Sequence, residues 1–177
     1  MMHIRFLPTV CAALAAAFLF PTAIAAQEGA REAKTAAMLK GESLGGLRLD
    51  LAEKEVVKLL GKPGRQGKLQ LQGADGAYVQ LWEYPSQGIE ITMSAGEKKT
   101  GAKKVASFSA GAGSKLATKL GIKVGSPVGD VRKAYGSFEN KEDGSAALFV
   151  AGSIYGGILF HTEGGKVSSI FFGAAAE

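Results

Sequence analysis

Cysteine and histidine are scarce in this 177-residue chain: it has one cysteine, Cys11, and two histidines, of which only His161 lies beyond residue 3. One cysteine excludes an internal disulfide, and one histidine beyond the N-terminal stretch cannot build a Cys/His zinc site. A Ser–His–Asp hydrolase would have His161 as its only available base, and no serine is expected in a nucleophile-elbow glycine pattern, so nucleophilic catalysis is not expected and His161 reads as a polar residue on the open side of a strand. Charge excess is small as well. Arg5 is the one charged residue before Gln27, and without that segment 20 Lys and Arg face 16 Asp and Glu, a net +4. Such an excess identifies no nucleic-acid partner.

The first 25 residues have the form of a secretory leader: Arg5 supplies the positive start, an apolar run extends to Phe20, and Ala23-Ile24-Ala25 is a small-x-small cleavage site. Cys11 follows Val10, where lipidation wants a small residue, so no lipid anchor is expected there. An uncleaved membrane anchor is the alternative. Once the leader is cleaved, the remaining chain is expected in the periplasm or secreted, without stable membrane insertion. It has about 150 residues, enough for one compact domain or two small units sharing a core. With no cysteine left, that fold must be held by packing alone.

One motif occurs twice. Residues 46–61, GLRLDLAEKEVVKLLG, and 121–136, GIKVGSPVGDVRKAYG, have equal length at an offset of 75. Each has apolar, cationic and apolar residues after its first glycine, then a polar helix start and a short amphipathic helix. In the second copy Ser126 is the expected N-cap and Pro127 the first helical residue; in the first, Asp50 and Glu53 have capping-box spacing. Gly61 and Gly136 are the expected left-handed terminators. Helices of two turns need a larger surface to lie on, and a sheet is the natural one. Further helices are predicted over 28–42 and 114–120. Strands are predicted over 77–84, 89–94, 105–109, 146–151, 158–162 and 166–173, separated by polar or glycine turns. The domain reading is therefore a leader over 1–25, a first α+β unit over 26–112 and a second over 113–177.

Residues 118–136, their degenerate twin LRLDLAEKEVVKLLGKPG from Leu47 onward, and WEYPSQGIEI at 82–91 resemble the β-lactamase-inhibitor-protein-like fold and the related barrel-assembly small lipoproteins of the bacterial envelope. The resemblance covers most of the chain after the leader. It implies an α+β protein of two tandem helix-loop-helix plus antiparallel-sheet repeats, with the helices on one face of the sheet and a concave surface on the other. It also implies a non-catalytic module that binds a protein partner in the cell envelope. The chain lacks the paired cysteines of the inhibitors and the lipid cysteine of the assembly proteins. A small ligand or an envelope polymer held on the concave sheet is the alternative. No cofactor or metal site is expected: Lys141 breaks the calcium-loop pattern of residues 139–144, and Gly111 to Lys115 lacks the Walker order. Lys98, Lys99, Lys103 and Lys104 read as a solvated hairpin.

Alternation places Ile89, Ile91 and Met93, with Ile158 and Phe160, beneath the helices, and turns Glu90, Thr92, Leu159 and His161 the other way. On the 77–84 strand the polar Gln80 assigns its own row, Tyr78, Trp82 and Tyr84, to the open side and leaves Val79 and Leu81 beneath. The expected partner-binding residues are thus Tyr78, Trp82, Tyr84, Leu159 and His161. The competing reading has the three rings filling a second, smaller core.

Overall fold

The computed structural model describes residues 20–72 and 76–175, with side chains from residue 29. Apart from the backbone of 20–25, the expected leader lies outside the described residues. Helix α1 spans Phe20–Gly41 and α2 Glu53–Leu60. Two short edge pieces follow, β1 (Arg65–Gln66) and β2 (Gln70–Leu71), then the meander β3 (Tyr78–Tyr84), β4 (Ile89–Ser94) and β5 (Lys104–Ala110). Helix α3 (Val128–Tyr135) precedes a second meander, β6 (Leu148–Ser153), β7 (Gly156–Glu163) and β8 (Lys166–Gly173). All strands join one antiparallel sheet in the order β1-β3-β4-β5-β8-β7-β6, with β2 also on β3.

The two meanders meet at the centre, where Phe108 pairs with Phe172 and Ala110 with Ile170. The Phe108 and Phe172 rings stack with centroids 4.6 Å apart. Alternation on β4 and β7 is obeyed, since Ile89, Ile91, Met93, Ile158 and Phe160 are all buried. Val56 of α2, Val131 and Tyr135 of α3, and Met38 and Leu39 of α1 pack into the same cluster, so the three helices close one face.

The expected architecture of two helix-loop-helix plus sheet repeats is overturned. Among the described residues there is a single eight-stranded sheet with three helices, and residues 114–120 form no helix. Seven residues are too few to nucleate a helix unaided, and the backbone of this segment has other partners. The Thr118 N–H donates to Ile122 O at 2.8 Å, and Gly45 N–H donates to Ala117 O at 2.9 Å. Thr118 also bridges to Leu44, so the segment is stapled to the loop after α1.

The two motif copies nonetheless dock alike. Asp50 N–H donates to Val105 O and Val105 N–H to Leu51 O, while Gly125 N–H donates to Val167 O and Val167 N–H to Ser126 O. Their helix starts differ from expectation. Glu55, not Glu53, accepts from the Ala52 N–H at 3.1 Å, and Ser126 Oγ accepts from Lys123 N–H instead of capping α3. Gly61 is left-handed at φ 84°, but Gly136 is helical at φ −57° and leads into a 3-10 turn. A glycine is required at the first of these and not at the second.

Candidate functional site

Strand β3 presents its aromatic row inward, the reverse of the expected choice. Trp82 is 0% exposed and Tyr84 2%, whereas Leu81 is 42% exposed. Trp82 pairs with Ile91 and Tyr84 with Ile89, both core residues. Gln80 shares this row because all of its polar groups are used: its Nε2 donates to Gly67 O at 2.8 Å, and its Oε1 accepts from Trp82 Nε1 at 3.0 Å and Lys103 Nζ at 2.9 Å. A fully bonded amide costs little at the margin of a core. On the other side Glu83, the residue that conflicted with the expected arrangement, faces out and pairs with Arg65 at 3.3 Å.

The five expected binding residues therefore separate. Trp82 and Tyr84 are core residues, with the Tyr84 hydroxyl donating to Gly61 O at 3.2 Å. Tyr78 is half-buried at the start of the same row, paired with Leu71. Leu159 and His161 lie together on the opposite face; Leu159 is buried and His161 exposed. His161 has Ser169 and Leu148 as cross-strand neighbours, neither of them an acid that could orient its ring.

The face opposite the helices carries one continuous row of residues, exposed at Arg65 and Glu90 and buried at Leu159 and Val150. One cross-strand row runs Arg65, Glu83, Glu90, Ser109, Phe171, Leu159, Val150 from β1 to β6. Beside it Leu81, Thr92 and Ser107 continue the face on β3 to β5, and Ser169, His161 and Leu148 continue it on β8 to β6. The surface is acidic at β3 and β4, hydroxyl-rich in the middle and apolar at β6 to β8. A cleft of about 340 Å³ opens along its rim between Arg65, Glu83, Glu90, Ser109 and Ser169. The sequence reading did not single out Ser109 or Phe171, the second of which lies in the consecutive apolar run Ile170-Phe171-Phe172.

No protein-family model, curated protein or solved structure matches this chain.

Residues 41–45, GESLG, spell the G-x-S-x-G nucleophile pattern, contrary to the expectation that no serine sits in such a setting. The context required is a strand-to-helix turn with the serine exposed. Here Ser43 follows a helix and is 8% exposed, and its N–H donates to Glu42 Oε1. Among the described residues no group of His, Cys, Asp and Glu could hold a metal ion. No helix among them is long and apolar enough to cross a membrane.

Glu42 is the most deeply placed carboxylate, 6% exposed. Its Oε1 accepts from the Ser43 N–H at 2.9 Å and the Lys119 N–H at 2.7 Å, and its Oε2 from the Tyr135 hydroxyl at 2.8 Å. Lys119 Nζ also donates to Gly41 O. The cluster ties the end of α1 to the loop before α3. Burial pushes the Tyr135 pKa well above its ordinary 10, a Thr118 hydrogen bond opposes the rise, and the Glu42 carboxylate adds to it. Burial also raises the Tyr84 pKa. A hydroxyl with a raised folded-state pKa stabilises the fold fully below the unfolded value near 10 and loses that contribution as pH rises further. Stability to denaturant should therefore be flat through neutral pH and fall above about pH 10. Tyr135→Phe should flatten that alkaline slope, and an unchanged slope in the variant would show that Tyr135 does not titrate with unfolding.

Proposed function

We propose that this chain is a non-catalytic binding module of the cell envelope, periplasmic or secreted, that holds a protein partner against the sheet face opposite its helices. The observation that carries this reading is the face itself. Seven cross-strand positions form one row from Arg65 to Val150, graded from charged to apolar, while the three helices bury the other face. Interfaces combine apolar anchors with a polar rim, and Leu81, exposed, and Phe171, half-buried, are among the apolar side chains this face leaves open. The leader-like residues 1–25 and the resemblance of 118–136 and 82–91 to envelope binding proteins support the same reading. The two ionisable side chains with shifted pKa values, Tyr84 and Tyr135, are explained by the core they help to build.

Capture of a stoichiometric partner from envelope extract, with the processed chain as bait, tests the proposal. Thr92→Arg together with Ser109→Arg places two long cations in the centre of the face, on side chains that are only half-buried. The pair should reduce capture about tenfold or more, equivalent to at least ~1.4 kcal/mol, with an unchanged unfolding midpoint. Undiminished capture would move the interface elsewhere. Retention of a saccharide polymer instead of a protein would favour the alternative ligand class.

A further inference from the structure

The helix side of the molecule carries a second open surface, built where the two motif copies begin. Leu44 N–H donates to Leu47 O and Thr118 N–H to Ile122 O, each closing a turn. The turns lie side by side, because Gly45 N–H donates to Ala117 O and Leu44 bridges Thr118. Leu44, Leu47 and Ile122 point into the core, while the tips, Gly45-Gly46 and Lys119-Leu120-Gly121, are exposed. Three leucines stand around these tips. Leu120 is 52% exposed, and Leu59, at the end of α2, is 42% exposed. A Cβ added at Gly46 would stand 3.3 Å from Leu59 Cδ1, and one at Gly45 would collide with the half-buried Leu116.

The charge around these leucines has one sign. Residues 44–48, 58–62 and 115–123 contain six cations and no acid. Arg48, Lys58, Lys62, Lys115, Lys119 and Lys123 are all exposed, and none joins an ion pair among the described residues. Of the neighbouring acids, Glu42 is buried, Glu55 accepts from the Ala52 N–H, and Asp130 pairs with Lys133. That leaves Asp50 as an open carboxylate against six open cations. Composition then selects the partner. Protein interfaces are depleted in lysine and lean on aromatic anchors. Here five lysines accompany one arginine, and the three segments hold no aromatic residue. Leucines ringed by lysines suit an anionic bilayer, with the leucines at the acyl boundary and the ammonium groups at the phosphates.

We propose that this surface, Leu59, Leu116 and Leu120 with the six cations around them, docks the protein reversibly on a bilayer containing anionic phospholipid. The contact is as deep as three side chains and needs no spanning helix. It uses the helix side, so the sheet face stays open, and the inference does not depend on the binding-face reading.

Co-sedimentation of the intact chain with vesicles tests the proposal. Vesicles of one part phosphatidylglycerol to two parts phosphatidylcholine should be bound about tenfold or more above pure phosphatidylcholine. Binding should fall steeply between 0.1 M and 1 M salt, as the screening length shrinks from about 10 Å to about 3 Å. Lys115→Glu with Lys123→Glu should weaken binding about tenfold or more, whereas Lys98→Glu with Lys99→Glu, on the β4–β5 hairpin, should change it less than about threefold. Leu59→Ser with Leu120→Ser should weaken it several-fold even at low salt. All six positions are exposed, so the unfolding midpoint should stay at the wild-type value. Residues 1–25 are common to every variant, so differences between variants report on this surface. Equal binding to both vesicle types, or equal losses from the two lysine pairs, would overturn the proposal. Salt-sensitive binding that the serine pair leaves intact, and that soluble polyglutamate matches, would overturn it in favour of an acidic macromolecule. Partner capture without lipid should survive the Lys115 and Lys123 substitutions, and it reports on the proposed function separately.

Discussion

Glu42→Ala is expected to destabilise the protein by about 3–5 kcal/mol, because one buried carboxylate satisfies three donors at once. Its partners, the Ser43 and Lys119 amides and the Tyr135 hydroxyl, come from three places in the chain. Alanine leaves all three without that acceptor, and two of them belong to the buried residues Ser43 and Tyr135. The loops at 42–47 and 114–123, which hold α2 and α3 over the sheet, would separate first. Glu42→Gln keeps an acceptor for both amides and can present its NH₂ to the Tyr135 oxygen, whose proton can turn to Thr118. Its cost should fall to about 1 kcal/mol, the worth of one ordinary hydrogen bond. Urea titration with a constant slope would measure both. A loss under about 1 kcal/mol for alanine would mean that this junction does not hold the fold.

The same junction shows why part of the architecture could not be read from sequence. Residues 114–120 share the capped, alternating appearance of a short helix, and backbone pairings decide against it: Thr118 with Ile122 nearby, and Ala117 and Thr118 with Gly45 and Leu44, more than 70 residues away. Strand β4 was legible because its alternation is strict, and β7 because its apolar run Ile158-Leu159-Phe160 lies between glycine turns. The side presented by β3 was not. A lone glutamine argued for solvent, and its neutralising partners, Gly67 and Lys103, are separated from it by 13 and 23 residues. Of the candidate site, local alternation turned Leu159 and His161 away from the helices, but only His161 is open there; Leu159 is buried. Phe171 belongs beside them for the same reason, and its two large apolar neighbours, Ile170 and Phe172, masked its outward direction. The pairing of Trp82 and Tyr84 with Ile91 and Ile89 was the available sign that the rings point inward.

Trp82→Ala should cost about 3–5 kcal/mol, the range for deleting a large ring from a close-packed core. The indole is 0% exposed, lies against Ile91 and donates its N–H to Gln80 at 3.0 Å. Lys103 stands 5.4 Å above the ring and 3.5 Å from Glu53, so the cavity would also loosen the contact between β5 and the start of α2. Trp82→Phe keeps most of the apolar volume and loses the N–H and the better cation–π face, for an expected cost of about 1–2 kcal/mol. Since Trp82 is the only tryptophan, the native protein should emit at short wavelength and shift to the red in the same transition that circular dichroism follows. Partner capture by Trp82→Ala should fall only in proportion to the fraction unfolded, because the ring does not reach the binding face. A variant of wild-type stability with impaired capture would reverse this assignment and return the aromatic row of β3 to the surface.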